Sequence, residues 1–389
     1  MKVGIIHTFY GQKGGEDIVV PQEYQLLEEN GVEVTMLTFQ NPKSKVAQLF
    51  LFIISLFNII AWVKALKWIE TERPDVIHVH NWHFASSASI FWAARIKDIP
   101  VIFTLHNYRI LCPSATLFND GKIFTDSLQE GFPFSAIRKK VYRNSYLQTF
   151  WLSFIVQFHY WIGTWQIPLQ YITLTSSMKH LFMDATTNFP SEKFVVKPNF
   201  IADCHYNFYD REDTFLYIGR LSEEKGIRVL LKAFSDKKYK LKVIGDGPLM
   251  SEVEDFAALH SNVSVLGFQS RATIQEELLK CTALIFPSNW YEPFGLTLIE
   301  AFASGAPVIA SNMGSSQEMV IDGKNGIHFR AGSAKDLQIK LHEWVKLSSG
   351  EKILFSKNAR SSYENNYTPE KNLELLTSIY NKLTIERAS

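Results

Sequence analysis

The strongest constraint on this chain is a change of hydrophobic period that recurs along its length. Apolar runs of strand length, each closed by a glycine or polar loop, alternate with helical stretches, a pattern that builds parallel sheets from βαβ units. The series runs twice. The first opens with "KVGIIH", the glycine loop "GQKGGED", the helical "IVVPQEYQLLEEN", a stop at Gly31 and the strand "VEVTML". It continues through "DVIHVH", "VIFTLH", "YITLT" and "KFVVKPNF". After an irregular stretch over 201–214, a second series follows as "FLYIGR", "LKVIGDGP", "VSVLGF", "ALIFPS" and "APVIAS". A chain of 389 residues exceeds one ordinary domain. The expected fold class is α/β: two Rossmann-like doubly wound domains, residues 1–200 and 201–389, facing each other across a cleft. The closing helical stretch, 369–386, is expected to pack back on the first domain.

Formal net charge is +1, so neither nucleic acid nor a strongly acidic partner is implied. Cys112, Cys204 and Cys281 are scattered without metal-ligand spacing, which suits a reduced cytoplasmic protein. The opening "MKVGIIHTFYG" passes from strand to glycine loop and does not read as a signal peptide. Two segments add to this picture. "VAQLFLFIISLFNIIAWV" (46–63) sits at the lower limit of bilayer-crossing length, but Gln48, Ser55 and Asn58 interrupt it and a buried strand follows. It is expected as a buried or membrane-facing helix. "RKKVYRN" (138–144) precedes "YLQTFWLSFIVQFHYWIGTW", where cations border aromatics. Core helices and a peripheral contact with anionic headgroups, on the inner face of the cytoplasmic membrane, are both open readings of it.

The chemistry concentrates in "YEPFGLTLIEAFASGAPVIAS" (291–311). A strand precedes it, "GLTLIEAFAS" reads as a helix, and Gly305 suits the position past its end. Backbone N–H groups from Phe294 through Gly295 and Leu296 to Thr297 then point outward at the positive end of the helix dipole, a seat for an anion. Glu292 lies just before that seat and Glu300 one turn beyond Leu296. Carboxylates repel phosphate and accept hydrogen bonds, so the pair suits hydroxyl-rich groups on either side of a diphosphate. The alternative is a solvated Glu292 and a helix-surface Glu300. In "YIGRLSEEKGI", Arg220 ends a strand and Lys225 follows five residues later; both suit phosphate oxygens. "GDGP", with Gly247 and Pro248, lets a second loop approach a ligand.

Rival readings are weaker. "GQKGGED" is not the dinucleotide fingerprint and no acidic residue ends the second strand, which argues against a nicotinamide site. No "G-x-S-x-G" elbow supports a hydrolase triad. "HVHNWH" tempts a zinc reading, but no acidic or cysteine ligand stands beside it in sequence, and no metal is expected. His78 is read as a core histidine. His80 and Asn81, and with more weight His106 and Asn107, stand at strand ends that could border the cleft.

Taken together, "GGED", "DVIHVHN", "TLHNYRILCPSATLF", "GTW", "KPNF", "YIGRLSEEKGI", "GDGP", "FPS", "EPFGLTLIEAFASGAPVIAS" and "DGKNGIHF" resemble the retaining glycosyltransferases of family 4, which have the GT-B fold. The resemblance spans nearly the whole chain. It implies a nucleotide-sugar donor held mainly by the C-terminal domain and a glycan or lipid-linked acceptor held mainly by the N-terminal one, with no cofactor and no metal. On the matching positions it implies that Arg220 and Lys225, beside Gly219, hold the diphosphate, Glu292 the sugar hydroxyls and Glu300 the ribose. Backbone amides from Phe294 to Thr297 would serve the phosphates and sugar, Gly14 and Gly15 would approach the donor, and His106 would lie by the reacting carbon. His80, Asn81 and Asn107 are the expected acceptor contacts. Related chains often carry two further cysteines after the "DGK" turn; "DGKIFTDSLQEG" has none, so no metal or disulfide is expected there. Other GT-B activities, epimerase or phosphorylase, and a non-catalytic nucleotide-sugar binder are the alternatives.

Overall fold

The computed structural model describes residues 1–11, 14–185, 189–209 and 211–388; Gln12 and Lys13 of the first glycine loop lie outside the described residues. Two compact units result, one from 1–115, 125–198 and the segment from Asn372 on, the other from 116–124 and 199–371.

The first unit follows the alternation of periods. Its elements are β1 (Lys2–Phe9), α1 (Glu16–Glu29), β2 (Glu33–Gln40), α2 (Lys45–Ile54), α3 (Ile59–Glu72), β3 (Val76–Asn81), α4 (Ser89–Ile96) and β4 (Val101–Leu105). A small hairpin, β5 (Phe118–Asn119) and β6 (Lys122–Ile123), belongs to the other unit. Then come α5 (Phe134–Arg138), α6 (Tyr146–Trp161), β7 (Gln170–Thr173), α7 (Ser176–Asp184) and β8 (Phe194–Val196). The sheet is parallel throughout, in the order β2-β1-β3-β4-β7-β8. Strand order therefore reverses between β1 and β3, and the carboxyl ends of these two strands flank the crevice where a doubly wound sheet takes its ligand.

The apolar run over 46–63, expected as one helix, is two. Ser55 turns its hydroxyl back onto the Phe52 carbonyl at 2.7 Å, and Asn58 caps α3 by accepting the Ala61 N–H at 3.1 Å. Both polar interruptions thus act as breaks. The helices are bent by 74°. Among the described residues no single helix is long and apolar enough to cross a membrane. Val46, Leu49, Phe50 and Ile53 of α2 are 57 to 79% exposed.

The second unit comprises β9 (Thr214–Ile218), α8 (Ile227–Ala233), β10 (Lys240–Ile244), α9 (Met250–Leu259), β11 (Val263–Gly267), α10 (Arg271–Lys280) and β12 (Ala283–Phe286). It continues with α11 (Leu296–Ala303), β13 (Val308–Ser311), α12 (Ser315–Met319), β14 (Gly326–Phe329), α13 (Ala334–Lys346) and α14 (Ser349–Asn366). Its parallel sheet runs β11-β10-β9-β12-β13-β14, so the reversal falls between β9 and β12. The core joins Phe215, Leu230, Val243, Ile285, Ile309 and Trp344, all almost wholly buried.

The last helix, α15 (Pro369–Ala388), crosses back to the first unit at Asn372. Leu376, Ile379, Tyr380 and Leu383 join Val3, Ile5, Val20 and Ile102 in one buried cluster. Each such fully buried aliphatic side chain contributes roughly 1.5–3 kcal/mol, so the C-terminal helix is an integral part of the first unit's core.

Candidate functional site

In the second unit, the loops after β9 and β12 meet at the sheet's reversal point. Gly219 and Arg220 follow β9, and Arg220 is held at its backbone, where its carbonyl accepts the Tyr217 hydroxyl at 2.9 Å, while its side chain stays exposed. Lys225 N–H closes a turn on Ser222 at 3.2 Å, and Asn289 N–H donates to the Glu224 carbonyl at 2.8 Å, so the two loops are laced together. The Lys225 ammonium is thereby aimed at Glu292 Oε1, with which it forms an ion pair. Ser288 Oγ donates to the other carboxylate oxygen at 2.8 Å, and the Lys225 ammonium stands 5.5 Å from the Trp290 ring centroid. Glu292 is buried and Lys225 half-buried.

Two glycines make this possible. Gly226 has φ +73°, and a Cβ there would stand 1.9 Å from the Pro287 carbonyl oxygen. Gly314 has φ +61°, and its Cβ would stand 2.6 Å from the Glu292 nitrogen. Only glycine lets these backbones close. Beside them the Leu221 N–H donates to the Asp246 carbonyl and the Leu249 N–H to the Leu221 carbonyl, both at 2.9 Å, which brings Gly247 and Pro248 up to the same edge.

α11 begins at Leu296 with Gly295 as its cap, and no side chain caps it. The first N–H groups of a helix have no intrahelical carbonyl to bond, so the amides around Gly295, Leu296 and Thr297 remain donors at the positive end of the dipole. Phe294 is buried and meets Tyr367 edge to face at 6.1 Å, which leaves its backbone as the part on offer. Glu300 is half-buried; burial lifts its carboxyl to about 7, against the opposing pull of Arg271.

In the first unit, the carboxyl ends of β1, β3 and β4 carry a buried polar chain. His80 and His106 stack with ring centroids 5.3 Å apart, His80 Nδ1 lying 3.1 Å from His106 Nε2. His80 Nε2 faces Glu23 Oε2 at 3.5 Å, and Glu23 Oε1 is paired with the ammonium of Lys197, which is 0% exposed. Lys197 also donates to Asn372 Oδ1 at 3.4 Å, on α15. Burial alone would raise the Glu23 carboxyl, but the charge and hydrogen bond of Lys197 outweigh it and hold the group down. Burial drives His106 down to about 3 and His80 well below its ordinary value, so both rings are neutral. The carboxylate facing His80 Nε2 favours the tautomer with its proton there. His80 Nδ1 then accepts from His106 Nε2–H, and His106 Nδ1 is left as an acceptor lone pair.

This arrangement alters the expectation for His80 and Asn81 as acceptor contacts. The His80 ring is held between His106 and Glu23 out of solvent, and the Asn81 amide donates to the Thr8 carbonyl at 2.8 Å while its oxygen accepts the His83 N–H at 3.0 Å. Both are turned inward as supports. His106 and Asn107 are half-buried, and Asn107 Nδ2 reaches the Tyr10 hydroxyl at 3.4 Å. At the β1–α1 turn, Asp17 accepts from His7 Nε2 and from the Gly14 N–H, both at 2.9 Å, and so fixes the Gly14-Gly15 bend. Beside it burial raises the Glu16 carboxyl to about 8.

The acid missing beside "HVHNWH" in sequence is Glu23, brought in by α1. Glu23, His78 and His80 offer ligand atoms within 4.8 Å of one another. They do not suit a cation as they stand. The Lys197 ammonium already supplies the positive charge, and both His78 nitrogens are engaged, by the Tyr380 hydroxyl at 2.8 Å and the Thr104 hydroxyl at 2.7 Å. Ser288, Trp290, Glu23 and Lys197 were not singled out from sequence. Ser288, at a strand end four residues before Glu292, and Lys197, a lysine following an apolar strand, carried the only local signals.

Comparison with known proteins agrees with this architecture. Residues 14–201 match the model described as Glycosyltransferase Family 4, and residues 204–362 that of Glycosyl transferases group 1. An uncharacterized glycosyltransferase of Methanocaldococcus jannaschii is 30% identical over 206 residues, covering 47% of this chain and 58% of that protein. The chain spans 58 to 64% of the length of the first curated relatives it matches. Among solved structures, a lipopolysaccharide outer core galactosyltransferase in its apo form superposes with TM-score 0.69 at 18% identity, covering 98% of this chain and all of that one. An Anabaena protein in complex with UDP and glucose superposes with TM-score 0.65 at 18% identity, covering 97% of this chain and 99% of that one. The two family models meet within three residues of each other and between them take in all of the second sheet and every strand of the first but β1; the chain belongs to the group 1 glycosyltransferases of family 4 type, with the GT-B fold.

Proposed function

We propose that this protein transfers a hexose, with retention of anomeric configuration, from a UDP- or GDP-linked donor to a hydroxyl of a glycan or lipid-linked acceptor in surface polysaccharide or glycolipid synthesis. The observation that carries the reading is the pairing of Lys225 with Glu292 beside the free amides of α11. In this reading Arg220, Lys225 and those amides take the diphosphate, Glu292 the sugar hydroxyls and Glu300 the ribose. As the bond from anomeric carbon to phosphate loosens, positive charge grows on the ring and negative charge on the leaving oxygen. Arg220 and Lys225 with the helix dipole stabilise the latter without a metal ion, and one preorganised donor of this kind is typically worth about 3–4 kcal/mol of barrier. In a front-face reaction the acceptor hydroxyl gives its proton to the departing phosphate oxygen, so no strong base is needed. That agrees with a His106 ring too weakly basic to take a full proton, offering Nδ1 as a hydrogen-bond acceptor for a hydroxyl.

The UDP and glucose of the Anabaena structure support the donor class, and the lipopolysaccharide enzyme supports a surface-glycan setting. Exposed apolar residues on α2 and α6 support a peripheral membrane contact. The test is turnover of UDP- and GDP-hexoses with glycan and lipid-linked acceptors, with the anomeric configuration of the product read by NMR. A product of inverted configuration would overturn the retaining mechanism, and release of free sugar phosphate or an epimerised nucleotide sugar would overturn the transferase reading.

A further inference from the structure

Two adjoining cavities of about 190 and 620 Å³ open in the first unit, at the carboxyl ends of β1, β2 and β3. Tyr10, Gly11, Gln48 and Arg143 line both; Arg109 and His83 line the smaller and Lys43 the larger. None of the described lining residues is acidic. Nε and Nη1 of Arg109 and both ring nitrogens of His83 are buried without a hydrogen bond among the described residues, and His83 is 3% exposed. Burial, together with the charges of Arg109 and Arg143, holds the His83 imidazole well below its ordinary value, so both guanidinium groups act on one neutral ring. Glu16, the carboxyl that acts on Arg109, is itself raised to about 8 and largely protonated at neutral pH. Buried guanidinium nitrogens left without an acceptor are costly, and an anion is what completes them.

The wall of this space is as telling as its floor. Gln48 and Leu51 of α2 line it, and Phe52 packs edge to face on Phe84 at 5.4 Å. On the same helix Val46, Leu49, Phe50 and Ile53, at the spacing of one helix face, are 57 to 79% exposed. α6 joins α2 through Trp151 Nε1, which donates to the Phe52 carbonyl at 2.7 Å, and it exposes Leu147 and Trp161. A cationic pocket and a bare apolar helix face thus share one wall.

We infer that this cavity receives the phosphate or diphosphate of a lipid-linked acceptor, whose hydrocarbon chain leaves over the exposed face of α2. The inference rests on the transferase reading above and names the group by which the acceptor is held. Arg109 and Arg143 bind the phosphate oxygens, Lys43 adds a charge at the mouth, and the neutral His83 donates one hydrogen bond.

The experiment uses the full chain carrying Lys225→Ala, so that the nucleotide seat does not capture the probe. Titration calorimetry compares farnesyl diphosphate, inorganic pyrophosphate and farnesol. Farnesyl diphosphate is expected to bind at least tenfold more tightly than either of the others. Arg143→Ala with Lys43→Ala, both at the surface, should weaken it at least tenfold with an unchanged melting profile, and Arg109→Gln should do the same. Leu49→Ser with Phe50→Ser should weaken farnesyl diphosphate and leave pyrophosphate unaffected. Equal affinity for pyrophosphate and farnesyl diphosphate would overturn the lipid, and binding indifferent to Arg143, Lys43 and Arg109 would overturn the cavity. Sugar-nucleotide binding by the chain with native Lys225 separates the two levels. Nucleotide binding without farnesyl diphosphate binding sinks the cavity alone, whereas farnesyl diphosphate binding without any sugar-nucleotide binding sinks the transferase reading.

Discussion

Lys225 and Glu292, 67 residues apart in the chain, form an ion pair at the carboxyl edge of the second unit's sheet, with Ser288 Oγ holding the second carboxylate oxygen at 2.8 Å. In the proposed reading the pair holds the ammonium toward the phosphate and the carboxylate toward the sugar hydroxyls. Lys225→Ala and Glu292→Gln are each expected to lower kcat by about 10²–10³-fold. Ser288→Ala removes one hydrogen bond, worth about 1 kcal/mol, and should cost roughly fivefold. Steady-state kinetics alongside circular dichroism checks that activity falls while the fold persists; full activity in either charge variant contradicts the assignment.

Gly314 sets the position of Glu292 from behind. An alanine there meets the Glu292 nitrogen at 2.6 Å with φ +61°, whereas at Gly323, φ +72°, nothing lies within 4 Å. Both substitutions carry the left-handed backbone cost of about 1–2 kcal/mol. Only Gly314→Ala should add a clash, so it is expected to lower both the melting temperature and the activity further than Gly323→Ala. Equal effects in parallel melts and assays would mean the Glu292 loop yields freely.

Glu23 and Lys197 form a wholly buried pair that also holds α15 through Asn372. Removing one partner strands the other charge, so Lys197→Met is expected to cost about 3–5 kcal/mol. Glu23→Leu combined with Lys197→Met should recover much of that loss, because no buried charge remains. Urea midpoints of the single and double variants decide it, and additive losses would contradict the pairing.

Glu300 carries a pH signature. Its folded value, about 7, lies above the ordinary carboxylate range, so the native state holds a proton that the unfolded chain has released. Stability contributed by the neutral form is therefore full at acid pH and falls as pH rises from the ordinary carboxylate range through about 7. Glu300→Gln is expected to gain stability relative to wild type between pH 5 and 8, roughly the window of that titration, while binding nucleotide more weakly. A melting-temperature difference that does not change across that window would contradict the raised carboxyl.

Much of this architecture was legible because period reports local structure. "ALIFPS" and "GLTLIEAFAS" differ in spacing, and the strand and helix formed where the spacing changed, at β12 and α11. β14 was overlooked because "GIHF" is too short to show a period. The break between α2 and α3 was marked by Ser55 and Asn58, but an apolar run this long masks two polar residues unless each is weighed as a cap. Least legible were pairs distant in sequence. Glu23 and Lys197 lie 174 residues apart, and no local spacing ties a glutamate on one helix to a lysine after the last strand of a sheet. The loop ends of a parallel sheet gather residues from many segments, so Arg220, Lys225 and Glu292 could be placed by their strands, while Arg109 and His83 became significant only once their unpartnered nitrogens were seen.

The proposed transfer depends on a diphosphate bound at Arg220 and Lys225. Melting temperatures with UDP, GDP, their common sugar conjugates and NAD, on wild type and on Arg220→Ala with Lys225→Ala, test it directly. Ligand at about 100 times its Kd should add roughly 2.7 kcal/mol of stability. A rise in melting temperature with one nucleotide family, lost in the double variant, is expected. No rise with any sugar nucleotide, or a rise with NAD alone, would contradict it.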